Sequence, residues 1–284
     1  MVARRTHCVP GFSLVELLAA IAVLGLLLAL LLPAIQNSRE MARRLTCRNN
    51  LRQIGVGLQH YHLAYRAFPP GCASRRTLRL AWSAFLLPFL EQSATWERID
   101  WSRPYNSLAN QSAASTVIAV YLCPSTTRLA GGRTGHRTGD RNGNGITETG
   151  DCLGVTDYGG IFGAARARPA ANGVLLFDRS VSLRHITDGS SHTIIVAEDT
   201  GRGWRWDGEW INGENIFDRS VPINQQQHNE LWSDHPHGCM ALFCDGSVHF
   251  LWAGIAEETL DALCTREGDE FITAHDYNTL AAGR

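Results

Sequence analysis

Lysine is absent from the 284 residues, so every basic side chain other than histidine is arginine. Loss of one cationic type along a whole chain reflects genomic base composition more than chemistry, and arginine usage carries no functional argument here. Neither sign of charge is in excess: 26 basic against 27 acidic residues give a formal net charge of −1. Such a chain lacks the basic footprint of a nucleic-acid binder, and no nucleic-acid partner is expected. A complete catalytic set is missing as well. Asp199-Thr200-Gly201, after the apolar Ile194-Ile195-Val196-Ala197, copies half of an aspartic-protease site. That chemistry needs two carboxylates sharing a proton. The candidate second copies, Asp188-Gly189-Ser190 and Asp245-Gly246-Ser247, have glycine and serine in the wrong order. The sequence therefore predicts a protein that is not an enzyme.

What is present is one long apolar run. From Leu17 to Leu32 every residue is apolar or glycine, and the run ends at Pro33. With its flanks it covers residues 12–35, and a helix of about 20 apolar residues crosses the hydrocarbon core of a bilayer. Glu16 sits inside the first turn of that span, where an ionisable group calls for a functional reading. The preceding residues 1–11 are short and basic, with Arg4, Arg5 and His7. A secretory signal would have a shorter apolar core followed by a small-residue cleavage site. Here the cut is expected before the apolar run, between Gly11 and Phe12.

Gly11-Phe12-Ser13-Leu14-Val15-Glu16 followed by an apolar segment resembles the type IV prepilin signal. Counted from Phe12, Glu16 and Pro33 fall where pilins carry glutamate and proline. The resemblance implies cleavage after Gly11 by prepilin peptidase and N-methylation of Phe12. It also implies assembly with homologous pilin-like subunits, Glu16 pairing with a neighbour's terminal amine. In lipid such a pair gains far more than it would in water. Pro33 is expected to kink the helix where lipid gives way to protein.

After Pro33 the pattern becomes amphipathic without a loop signal. Cys47, Leu51, Ile54, Leu58, Tyr61 and Tyr65 recur at helical spacing, which predicts a continuation over residues 36–66. Gly55 and Gly57 weaken it, and Phe68-Pro69-Pro70-Gly71 stops it. The whole helix would be roughly 80 Å long. Residues 67–284 read as an exported head of short strands and turns, with strands expected at Thr116–Leu122, Val174–Phe177, Thr193–Glu198, Cys239–Cys244 and Ser247–Trp252. A short apolar helix or turn with a proline break is expected at Ala81–Gln92 and a short helix at Thr259–Cys264, and a polar, glycine-rich insertion fills residues 126–152. The fold class is α+β: a long transmembrane and amphipathic N-terminal helix packed on an antiparallel-sheet, pilin-like head.

An ordered set of short motifs runs from the amphipathic helix through the head: Cys47-Arg48-Asn49-Asn50-Leu51, Phe68-Pro69-Pro70-Gly71, Leu87-Pro88-Phe89-Leu90-Glu91-Gln92 and Cys123-Pro124-Ser125. Thr187-Asp188-Gly189-Ser190, Glu198 and Asp245-Gly246-Ser247-Val248 complete it, with nine residues between His235 and Asp245-Gly246. The chain is similar to the family of domain of unknown function 1559. That resemblance implies an exported, pilin- or pseudopilin-like protein, with His235 at a turn hydrogen-bonded to the Asp245 turn. Cysteine use fits export. Eight are present, and seven remain once Cys8 leaves with the leader, so at least one is not in an intrachain bridge. Cys47 and Cys123 lie on family motifs and form the first candidate disulfide; Cys123 with Cys152 is the second.

Asp140-Arg141-Asn142-Gly143-Asn144-Gly145, ending at Asp151, has the spacing of a calcium loop. Asp140, Asn142, Asn144 and Asp151 would supply side-chain oxygens and Ile146 a carbonyl. Calcium is the one cofactor expected. Asp234-His235-Pro236-His237, with His228 upstream and Asp245 downstream, offers metal-type ligands, but Pro236 interrupts any strand that would align them. Trp204, Trp206 and Trp210 are read as sheet packing before a sugar or protein surface. The expectation is a single-pass protein of the cytoplasmic membrane with its head outside, serving a type IV pilus or type II secretion-like assembly. The alternative is a membrane-displayed module that binds carbohydrate or protein.

Overall fold

Helix α1 (Leu14–Tyr65) runs for 52 residues through the apolar run and its amphipathic continuation without a break at Pro33. The computed structural model of the chain describes residues 14–126, 136–137, 153–166, 171–200, 208–226, 230–270, 272–273 and 276–277. The chain divides into two compact units, Met1–Ala42 and Arg43–Arg284. In the first, every side chain from Leu14 to Pro33 is exposed. By length and composition this helix can cross a membrane. A continuous apolar surface of this size calls for lipid or other apolar helices around it.

In the second unit, α1 buries Cys47, Asn50, Leu51, Ile54, Gly55, Gly57 and Leu58. The expected apolar face is thus present from Cys47 to Leu58. It fades at its end: Tyr61 is half-buried and Tyr65 is 64% exposed, because the chain turns away after Arg66, which adopts φ 62°. The amide of Arg66 still donates to His62 O at 2.8 Å, closing the last turn.

The head is built on a five-stranded sheet, flanked by two short ribbons. The ribbons pair β1 (Cys72–Ala73) with β2 (Leu80–Ala81) and β3 (His136–Arg137) with β4 (Leu153–Gly154). The sheet contains β5 (Tyr158–Ala164), β6 (Ile194–Glu198), β7 (Ile216–Arg219), β8 (Gly238–Phe243) and β9 (Val248–Trp252), in the order β7-β5-β6-β8-β9. Three of its pairings are antiparallel, and β5–β7 is parallel. The sheet is therefore mixed. The long excursion between β5 and β7 supplies the crossover that a parallel pair requires.

Both faces of the sheet are covered, so its central strands read as continuous apolar runs. In β8, Met240 and Leu242 join the core that contains Leu51, Ile54 and Leu58 of α1. Cys239, Ala241 and Phe243 point the other way, to Leu260, Leu263 and Cys264 of α5 (Glu257–Cys264). Strand period two sorts the residues between the two layers.

Two predicted strands are not strands. Ala119–Tyr121 is a 3-10 turn: Tyr121 O accepts from Asp157 N at 2.9 Å, and the amide of Cys123 donates to Asp157 Oδ2 at 2.6 Å. Side-chain and loop partners satisfy that backbone where a ladder was expected. Val174–Phe177 makes only isolated bridges, Phe177 with Cys72 and Leu176 with Arg179. Conversely, β5 escaped the pattern because Tyr158-Gly159-Gly160-Ile161-Phe162-Gly163-Ala164 is too glycine-rich to read as a strand. A Cβ on Gly160 would lie 2.7 Å from Leu175 Cδ1 and 3.0 Å from Trp82 Nε1. The glycine lets the core rest directly on the strand. The segment Ala81–Gln92 divides into α2 (Trp82–Leu86) and a 3-10 turn at Leu87–Leu90.

Gly55 has a similar role. A Cβ there would lie 2.8 Å from Leu242 Cδ1 and 3.5 Å from Gly246 Cα. Gly246, at φ 89°, makes the β8–β9 turn, and Gln59 Nε2 donates to Cys244 O at 2.6 Å beside it. Gly55→Ala gains up to about 1 kcal/mol of helix propensity. It overpacks a closed interface at a cost of about 1–3 kcal/mol. Net destabilisation of about 1 kcal/mol is expected, read as a lower denaturant midpoint of the detergent-solubilised chain; a raised midpoint would show that Leu242 yields freely.

Glu230 gives the head a pH dependence. Its buried carboxylate accepts from Ser220 N at 2.9 Å and from Ser220 Oγ, yet burial outweighs these bonds and pushes its pKa above the ordinary 4.5. A raised carboxyl pKa means the folded state holds the proton more firmly. The contribution to stability is full below about pH 4.5 and is lost as pH rises through the raised value. Unfolding midpoints of wild type and Glu230→Gln across pH 4 to 8 should diverge over that window, the glutamine variant lacking this component of the decline. Parallel curves would exclude Glu230 as its source.

Candidate functional site

Cys47 sits on the buried face of α1, and Cys123 follows the Ala119–Tyr121 turn. The two are joined as a disulfide with Cα atoms 5.4 Å apart across a separation of 76 residues. Two further buried side chains converge on this bridge. Glu198 ends β6, and its Oε2 accepts from Met240 N at 2.8 Å. His235 precedes β8, its own amide donating to Ser233 Oγ at 3.1 Å. Its Nε2 lies 3.3 Å from Glu198 Oε1 and 3.6 Å from Cys123 Sγ. Cys47 and Glu198 are 0% exposed, Cys123 and His235 2%.

The surrounding backbone holds these groups firmly. Trp232 N donates to Glu198 O at 3.1 Å, tying the segment before His235 to β6. Arg44, one turn before Cys47 on α1, donates to Pro236 O and lies 4.5 Å over the Phe250 ring. Asn50 Nδ2 donates to Leu122 O at 2.9 Å, one residue from Cys123. Residues from α1, β6, the Cys123 segment and the approach to β8 thus share one buried point.

This placement corrects the expectation for His235. Its imidazole faces Glu198 and Cys123, whereas Asp245 lies beyond the far end of β8. Six strand residues separate them, on the order of 20 Å at strand rise. Asp245 instead accepts from Ser247 N at 2.8 Å, and its own amide donates to Ser190 O at 3.0 Å. The same polarity divides the three Asp-containing turns. Asp199 follows β6 at the His235 end, while Asp188 precedes it near the hairpin turn, where it accepts from Gly268 N and Asp269 N. Asp199 thus stands at the opposite end of β6 from the Asp188 and Asp245 turns.

The other sequence candidates lie away from this point or outside the described residues. Trp210 is fully buried and donates to Thr116 O at 2.9 Å. His237 is exposed at φ 71°. Glu16 lies exposed in the first turn of α1. Gly11, Phe12, Trp204, Trp206, His228 and the calcium-loop residues Asp140, Asn142, Asn144, Ile146 and Asp151 lie outside the described residues. Cys72, Cys239, Cys244 and Cys264 are buried free thiols; desolvation pushes Cys72 to about 12 and raises the other three. These thiols are held protonated and act as apolar groups.

Sequence reading did not join Glu198 and His235 to the cysteine pair. The only signal was the resemblance, whose expected motifs include all four residues in segments far apart in the chain. No curated protein and no solved structure matches the chain. A family model described as "Protein of unknown function (DUF1559)" matches residues 36–220, from the end of the apolar arm through β7. With well over half of its length matched, the chain belongs to the DUF1559 family of proteins of unknown function.

Proposed function

We propose that this DUF1559 protein is a prepilin-processed, membrane-anchored structural or assembly subunit, similar to a pilin or pseudopilin, whose head lies outside the cytoplasmic membrane. The observation that carries this reading is the arm of α1: an uninterrupted helix whose side chains from Leu14 to Pro33 are all exposed, with Glu16 in its first turn. The arm follows Gly11-Phe12, the junction prepilin peptidase would cut. In a bilayer its exposed apolar surface is solvated by lipid. In an assembly the same surface packs against arms of homologous subunits, and Glu16 gains a cationic partner in a medium of low dielectric.

Mass spectrometry of chain purified from membranes of a host with active prepilin peptidase should find a methylated Phe12 as the first residue. Recovery of the intact Met1–Gly11 leader would overturn the reading. Glu16→Ala should still be cleaved yet fail to co-assemble. Unchanged assembly, or an anchor that never self-associates, would favour a head that binds carbohydrate or protein and is merely displayed by the arm.

A further inference from the structure

We propose that Cys47, Cys123, Glu198 and His235 form a binding site for a thiophilic divalent metal, zinc first, which the reduced chain fills and the disulfide closes. One ligand atom from each of the four lies within 4.8 Å of all the others, and all four residues are buried. A disulfide by itself needs neither a histidine nor a carboxylate beside it. Glu198 is completely buried, and its Oε1 makes no hydrogen bond among the described residues while facing His235 Nε2 at 3.3 Å. A buried carboxylate oxygen left in this way is costly. A cation at the centre of the four donors removes that cost.

The spacing agrees with tetrahedral zinc. With Zn–S near 2.3 Å and Zn–N or Zn–O near 2.1 Å, tetrahedral angles put sulfur and nitrogen about 3.6 Å apart, and nitrogen and oxygen about 3.4 Å apart. The observed separations are 3.6 Å for Cys123 Sγ to His235 Nε2 and 3.3 Å for His235 Nε2 to Glu198 Oε1. Only the two sulfurs must part, to about 3.8 Å. The set of two thiolates, one imidazole and one carboxylate suits zinc and similar metals better than calcium or magnesium, which take all-oxygen shells.

The exchange balances. A dithiol reductant gives two electrons and two protons to the Cys47–Cys123 bond and is itself oxidised to a disulfide. Metal binding then displaces both thiol protons to solvent. In reverse, a disulfide oxidant takes the two electrons and the sulfurs rejoin as the metal leaves. Either state ties α1 to the Cys123 segment. The site thus links this part of the chain in reducing and in oxidising surroundings, and this holds whatever the arm does in the membrane.

The test uses full-length chain in detergent. Oxidised chain should bind no zinc at the site. After reduction and removal of the reductant without oxygen, one zinc per chain should bind, and cobalt in its place should show thiolate charge-transfer absorption and strong tetrahedral bands. X-ray absorption of reduced, zinc-loaded wild type should find two sulfur and two nitrogen or oxygen neighbours. His235→Ala and Glu198→Gln should each weaken zinc binding by at least about tenfold. Absence of stoichiometric zinc in the reduced chain, or a shell of four sulfurs or of none, would overturn the proposal. Unchanged affinity in both variants would do the same. The absorption measurement needs no substitution, so a variant that misfolds leaves the answer intact.

Discussion

Replacing Cys47 and Cys123 together by alanine is expected to lower the stability of the chain by about 4–5 kcal/mol relative to the oxidised protein. The chain-entropy relation for a cross-link closing 76 residues gives about 4.5 kcal/mol at 25 °C. The loop it closes holds α1 from Cys47 onward together with α2, the 3-10 turn at Leu87–Leu90 and the segment up to Cys123. Without the bridge, α1 is held to this region by packing of Leu51, Ile54 and Leu58 and by bonds such as Asn50 to Leu122 O. Both sulfurs are buried, so the alanines also leave unfilled volume beside Glu198 and His235. Denaturant unfolding of oxidised wild type and the double variant, in detergent with a chelator to exclude metal, measures the difference. A loss under about 1 kcal/mol would show that the unfolded chain gains little freedom, contrary to the entropic account.

Asp261→Ala is expected to cost about 3 kcal/mol. The Arg219 side chain is completely buried between β7 and α5, where Nη2 lies 3.1 Å from Glu257 Oε2 and Nη1 meets Asp261. Glu257 and Asp261 are one turn apart on α5, so a single face presents both carboxylates to one guanidinium. Removing Asp261 leaves a cation in the core with Glu257 as its remaining ion-pair contact among the described residues. Breaking a buried pair from one side typically costs about 3–5 kcal/mol, and the remaining Glu257 places this case at the low end. Arg219→Met should cost less, since it takes away the buried charge and leaves only partly exposed carboxylates. The same unfolding assay orders the variants. If Arg219→Met were the more damaging of the two, the hydrogen bonds of the guanidinium would outweigh the burial of its charge.

The parts legible in the sequence were those that depend on local pattern. Sixteen unbroken apolar or glycine residues admit only a membrane helix or a helix packed among others, and α1 follows. The i, i+3, i+4 recurrence from Cys47 to Leu58 identified the buried face. Asp245-Gly246 marked the β8–β9 turn because glycine alone enters φ 89° without strain. These rest on steric and periodic rules that act within a few residues.

Tertiary structure decided what local rules leave open. The glycines of β5 look like loop until Leu175, Ile216 and Trp82 are seen resting against Gly160. The run Thr116–Leu122 could pair as a strand, but Asp157 and Trp210 take its backbone groups first. Sequence motifs placed His235 with Asp245, to which it stands nearest in the pattern. The six-residue length of β8 puts them at opposite ends, and the antiparallel return of β6 brings Glu198 to His235 instead. Apolar periodicity thus determined the buried face of α1. Which buried polar groups meet was determined only by strand direction and register, which bring together residues that the chain keeps tens of positions apart.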